Sequence, residues 1–162
     1  KQAAETSFAN EYGHKLGRLL HSNTLKQTPQ LQQLFGDTIF TKIVSYTCGA
    51  CDARMSGAMV PVMSNSGSGN QGITTSLPVV IYAQHLGSDD EKLLRALVVS
   101  NLVTLHLKCG IGPLSAYCGA ISAGCGAAAG ITYLYGGKFR EVAHTVVNAI
   151  AINSGVRRCS CC

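Results

Sequence analysis

Between Cys109 and Gly137 the chain carries no Asp, Glu, Lys or Arg, and seven glycines precede Gly137 in that stretch. So apolar a run must be buried, in lipid or in protein, and it exceeds the roughly 20 residues that a membrane span needs. The glycines, together with Ser115 and Ser122, argue for protein, because Gly126 and Gly130 form a small-xxx-small face that admits another backbone closely. The expectation is the central helix of a mainly α, helical-bundle fold, with no membrane crossing. The rest of the composition agrees. Of 162 residues 46% are hydrophobic, only 13% are charged and none is Trp, which excludes disorder and predicts tight helix packing in place of large aromatic plugs. The length fits one domain.

The formal charge of +5 is spread along the chain, apart from Arg157 and Arg158, so no nucleic-acid partner is expected and a small anionic substrate suits it better. Eight cysteines lie on Gly-rich segments with no signal peptide before them, which predicts thiols or metal ligands in a reducing, cytoplasmic setting. Lys1 stands where a Met would open a gene product, and the helical pattern is already under way, so a piece of a longer protein is expected.

Helical spacing of Phe8, Tyr12, Leu16, Leu19 and Leu20 predicts a first helix, and Thr28-Pro29 opens a second that should run to about Ser45. Ser88-Asp89-Asp90-Glu91 reads as a capping box with Ser88 as the cap. The helix after it should bury Leu93, Leu94, Leu97, Val98, Leu102 and Leu105 and end near Cys109. Phe139, Val142, Ala143, Val146, Val147 and Ile150 predict a last amphipathic helix stopping at Gly155. The domain so read covers residues 1–155, and the Cys-rich tail 156–162 breaks its pattern.

The chemistry concentrates in two places. The run Ser64, Asn65, Ser66, Gly67, Ser68, Gly69 and Asn70 precedes an apolar helical segment from Ile73 to Leu86. Its unshielded backbone N–H groups and its hydroxyls at a helix N-terminus make an anion-binding nest. It is neither a Walker loop nor a dinucleotide fingerprint. Cys118 and Cys125 are flanked by small residues, which leaves room for a bulky metal cluster. Cys48 and Cys51 form a C-x-x-C that fits a redox pair, half a zinc site or two packed thiols. His106 reads as a core residue and Lys108 as a helix-end charge. No catalytic triad is evident.

The segments C-D-A-R-M-S-G-A from Cys51, M-S-N-S-G-S-G-N-Q-G-I-T-T-S-L-P-V from Met63 and L-S-A-Y-C-G-A from Leu114 resemble the L-cysteine desulfidase family. That family is related to the alpha domain of iron-sulfur L-serine dehydratases, and the likeness covers about residues 1–155. It implies a helical cytoplasmic lyase that uses a 4Fe-4S cluster to eliminate sulfide from L-cysteine, leaving pyruvate and ammonia. Ser64 to Asn70 would be the substrate-binding loop and Cys118 a cluster ligand. The family's early G-C-T-E-P motif is absent, and its C-D-G-A-K-x-x-C should begin near position 158, where this chain has Arg. Cys159 falls one place late, and Pro113 stands where the family has Arg. The resemblance thus implies a fragment with an incomplete ligand set, inactive by itself. Two alternatives stand beside it: an L-serine dehydratase, and a non-catalytic helical module binding zinc through Cys159, Cys161 and Cys162. The charge-poor faces leave room for a homodimer.

Overall fold

The computed structural model describes residues 1–22, 36, 38–112 and 118–158, with side chains described as far as Asn153. Seven helices and no strand occur among the described residues: α1 (Gln2–Ala9), α2 (Leu16–His21), α3 (Ile39–Met55), α4 (Gly69–Leu86), α5 (Asp90–Ile111), α6 (Gly119–Leu134) and α7 (Phe139–Arg158). They fall into two compact units, Lys1–Ser64 and Asn65–Cys162.

In the first unit the expected opening helix is two helices. Gly13 and Lys15 both take left-handed backbone angles, φ +53° and +61°, and Gly13 donates its N–H to Ser56 Oγ at 3.0 Å, so the chain turns between α1 and α2. The first part of the helix expected from Pro29, residues 29–35, lies outside the described residues, as does Asp37. Helix α3 begins at Ile39, where the Thr38 hydroxyl accepts the Thr41 N–H at 3.2 Å. It does not stop at Ser45 but continues through Gly49 to Met55, since no proline intervenes, and Ser45 is used in packing. Its buried hydroxyl donates to the Gly17 carbonyl at 2.8 Å, and a Cβ at Gly17 would lie 2.5 Å from Gly49 Cα. Phe8 and His21 stack with centroids 4.0 Å apart, and Tyr46 meets Phe8 edge-on.

The second unit is an up-and-down arrangement around α6. Val79 of α4 meets Gly130 and Gln71 meets Gly119, so α4 and α6 run parallel. Helix α5 runs antiparallel to both, with Thr104 and Ser100 against Gly126 and Ala96 against Gly130. Thr132 and Thr145 share a hydrogen bond at 2.9 Å, tying α7 antiparallel to α6. The central helix foreseen in the charge-free run is therefore α6. Its glycines serve as expected: a Cβ at Gly126 would overlap Thr104 Oγ1 and come within 2.5 Å of the Ser100 carbonyl, and one at Gly130 would sit 3.0 Å from the Ala96 carbonyl.

That close approach overturns the expected buried stripe of α5. Ala96, Ser100 and Thr104 form its buried face, whereas Leu94, Val98 and Leu102 are each more than half exposed and Leu105 is 40% exposed. Leucines do not fit between backbones this near each other, so the small residues turn inward. Leu93 and Leu97 keep a half-buried place beside the core of Val79, Ala83, Ala127 and Leu134. One buried hydroxyl of α5 bonds across to α4 and the other back along its own helix. Ser100 Oγ donates to the Thr75 carbonyl at 2.7 Å, and Thr104 Oγ1 to the Ser100 carbonyl at 2.8 Å.

The expected capping box at Ser88 does not form. The Ser88 N–H closes the end of α4 on the Ala83 carbonyl at 3.0 Å, so the N-cap of α5 is one residue later, Asp89, without a side-chain cap bond. Glu91 turns instead to Arg95, 2.6 Å from its Nη2. Helix α5 reaches Ile111, two residues beyond the expected end, and α7 passes Gly155 to Arg158. In α7, Phe139, Val147 and Ile150 are exposed, while Val142, Ala143 and Val146 are half-buried. Helix α5 is long and apolar enough to cross a membrane by length and composition, and its Ala96, Ser100 and Thr104 are packed inside the unit.

Candidate functional site

The glycine- and serine-rich loop folds on itself before the helix begins. Asn65 and Ser68 exchange both backbone hydrogen bonds, at 3.1 and 3.0 Å, around Ser66 (φ +50°) and Gly67 (φ +77°). Two consecutive positive φ angles define a tight turn of the kind that joins antiparallel strands. Gly67 accepts this freely. Ser66 is strained by about 1–2 kcal/mol, and its hydroxyl donates to Asn65 Oδ1 at 3.1 Å. Ser68 is the N-cap of α4, its Oγ accepting the Gln71 N–H at 3.3 Å. Helix α4 therefore starts at Gly69, inside the glycine-rich run and four residues before the expected Ile73.

A chain of carboxamides fixes this loop from beneath. Asn65, 6% exposed, donates through Nδ2 to Asn101 Oδ1 of α5 at 2.8 Å, and its Oδ1 accepts from Gln71 Nε2 at 2.9 Å. Asn101 in turn donates to the Leu97 carbonyl at 2.8 Å. Gln71, 2% exposed, presses its Oε1 on Gly119, where an added Cβ would overlap it. So the first turn of α4 abuts the first turn of α6, and Cys118, the N-cap of α6, stands exposed beside that junction.

Because α4 and α6 are parallel, their two N-termini emerge at one end of the unit. Each carries about half a positive charge from its aligned peptide dipoles. Ser66, Gly67 and Gly69 place backbone N–H groups there that have no acceptor among the described residues. The arrangement suits a carboxylate or phosphate. Of the expected loop residues, Ser66, Gly67, Ser68, Gly69 and Asn70 surround that end. Asn65 spends its side chain inward, and Ser64 is exposed at the close of the first unit.

The other cysteines are dispersed. Cys48 and Cys51 lie half-buried on α3, and burial with Asp52 nearby pushes the Cys48 thiol up. Cys109 is exposed on α5. Cys125 is buried on α6, its thiol raised by that burial, and accepts a long contact from Asn153 Nδ2 at 4.0 Å. His106, expected in the core, is exposed, and Lys108 is half-buried. Cys159, Cys161 and Cys162, and Pro113, lie outside the described residues. Among the described residues no three thiols, imidazoles or carboxylates converge, so these do not by themselves hold a 4Fe-4S cubane. Of the described cysteines, Cys118 adjoins the loop end of the unit.

Sequence reasoning passed over Gln71, Asn101 and Gly119. Only Gly119 left a signal there, as a glycine directly after the cysteine at a helix start.

The chain belongs to the serine dehydratase alpha chain family, which it matches over residues 1–159. A UPF0597 protein of Bacteroides fragilis is 49% identical over 156 residues, covering 96% of this chain and 35% of the relative. One of Phocaeicola vulgatus is 50% identical over 156 residues, with the same shares covered. One of Desulfitobacterium hafniense is 52% identical over 153 residues, covering 94% of this chain and 33% of the relative. The chain thus spans about a third of the length of these relatives. No solved structure matches it.

Proposed function

We propose that the full-length protein is an iron-sulfur lyase acting on a small β-substituted L-amino acid, L-cysteine first and L-serine as the alternative. This chain would supply the loop that holds the substrate carboxylate, and Cys118 as one thiolate ligand. One observation carries the reading: the Gln71–Gly119 contact brings the Ser66–Asn70 loop and Cys118 to the same pair of helix N-termini.

A carboxylate seated on the N–H groups of Ser66, Gly67 and Gly69 acidifies the neighbouring Cα–H. As that proton leaves, negative charge spreads onto the carboxylate oxygens, where fixed donors and two helix dipoles stabilise it. Loss of the Cα proton with cleavage of the Cβ–S bond expels hydrosulfide and leaves aminoacrylate, which water converts to pyruvate and ammonia. Hydroxide leaves L-serine by the same elimination, so a loop that holds only the shared amino-acid head does not separate the two substrates. Among the described residues, Cys118 would supply one of the thiolates a cluster needs.

Anaerobic reconstitution of the full-length protein with iron and sulfide, followed by pyruvate assay on both amino acids, tests the proposal. Thiolate–iron absorption lost in Cys118→Ser, with more pyruvate from L-cysteine than from L-serine, is the expected result. More pyruvate from L-serine transfers the assignment to a dehydratase. Unchanged absorption in Cys118→Ser, or no pyruvate from either, overturns it.

A further inference from the structure

Helix α5 is closely packed on one side and apolar on the other. Ala96, Ser100 and Thr104 form its buried side, against α6 and α4. Leu94, Val98, Leu102 and Leu105 lie opposite them and are 62%, 57%, 59% and 40% exposed. Steps of four, four and three residues put these side chains in one continuous row along the helix. At 1.5 Å per residue the row is about 17 Å long. No Asp, Glu, Lys or Arg occurs between Arg95 and Lys108. The Glu91–Arg95 ion pair closes one end of the row, and Lys108 stands just past the other. A helix at a protein surface has one apolar face, and a helix apolar all round is covered all round. A single exposed leucine needs no explanation, but a continuous row of four marks an interface.

We infer that this row is an interface within the full-length polypeptide, and that its occupant is an apolar segment from the two thirds of the protein outside this chain. The relatives are about three times as long as the segment they share with it, so most of the folded protein has still to pack around this unit. A segment of the same polypeptide acts at an effective concentration of about a millimolar, which a second copy does not reach at ordinary protein concentrations. A lipid surface fits less well, since the row covers only about half of a hydrocarbon core of about 30 Å before it meets charge at both ends. The interface does not involve the Ser66–Asn70 loop and holds whether or not that loop binds a carboxylate.

Thiol alkylation in this chain and in the full-length protein tests the inference. Cys109, exposed and one turn beyond Leu105 on the same side of α5, reports without any substitution. Val98→Cys places a second thiol within the row. Alkylation of both by N-ethylmaleimide, read by peptide mass, should be at least tenfold slower in the full-length protein than in this chain, at every protein concentration. Leu102→Lys should leave the melting temperature of this chain unchanged and lower that of the full-length protein by several degrees, because there the ammonium is buried without a partner. Protection that appears in this chain alone and grows with its concentration overturns the inference in favour of a second copy. Protection that requires phosphatidylcholine vesicles overturns it in favour of a lipid surface. Equal rates in this chain and the full-length protein, at both thiols, overturn it outright.

Discussion

Gln71 joins two structures that the sequence presents far apart, the serine-glycine loop and the start of α6. With its Oε1 against Gly119 and its Nε2 on Asn65, it fixes both at once. Gly119→Ala should therefore cost about 1–3 kcal/mol, as overpacking in a filled interior does, and should disorder the loop; denaturant unfolding and loop amide resonances check it. Asn65→Ala takes away the partner of Gln71 Nε2 and of Asn101 Oδ1 and should cost about 1–3 kcal/mol, read in the same way. Cys125 gives a pH signature. Its folded thiol titrates above the usual range near about 8.5, so the folded state keeps a proton that the unfolded chain loses. The stability it contributes is complete below the unfolded value and falls as pH rises through the folded one. Cys125→Ala should flatten the alkaline decline in unfolding free energy, and a slope identical to that of the parent chain would contradict the assignment.

At the scale of elements, the charge-free run made α6 and its glycine face readable, because a stretch that cannot be solvated has few places to go. The start of α4 was half readable: the loop's composition showed where an anion could sit, while Ser68 as the cap is a detail of side-chain geometry. Helix α5 was misread. The rule that leucines face inward assumes a spacing between helices that Gly126 and Gly130 abolish, and only their pairing with Ser100 and Ala96 turns the helix about. Two substitutions separate the readings. Leu102→Lys on the exposed face should change unfolding free energy by less than about 0.5 kcal/mol, whereas Ala96→Leu should cost about 1–3 kcal/mol. The ordering expected from hydrophobicity alone is the reverse. The carboxamide chain through Asn101 was not legible at all, since it links residues 36 apart through orientations that no periodicity encodes.

At the scale of the whole molecule, the second unit places the N–H groups of the Ser66–Gly69 turn and an exposed cysteine at one end of a parallel helix pair, and about two thirds of the relatives' length lies beyond the match. Whatever that remainder supplies, the neighbourhood of loop and Cys118 belongs to this chain and can be measured in it. The most direct measurement is the rate at which iodoacetamide alkylates Cys118 and Cys109, each read by peptide mass, with and without saturating L-serine. Both thiols are exposed, and only Cys118 adjoins the loop. The account predicts that L-serine slows alkylation of Cys118 several-fold, leaves Cys109 unchanged, and loses its effect in Gly119→Ala. Equal rates at Cys118 with and without L-serine, at concentrations that shift the loop amides, would contradict a shared site.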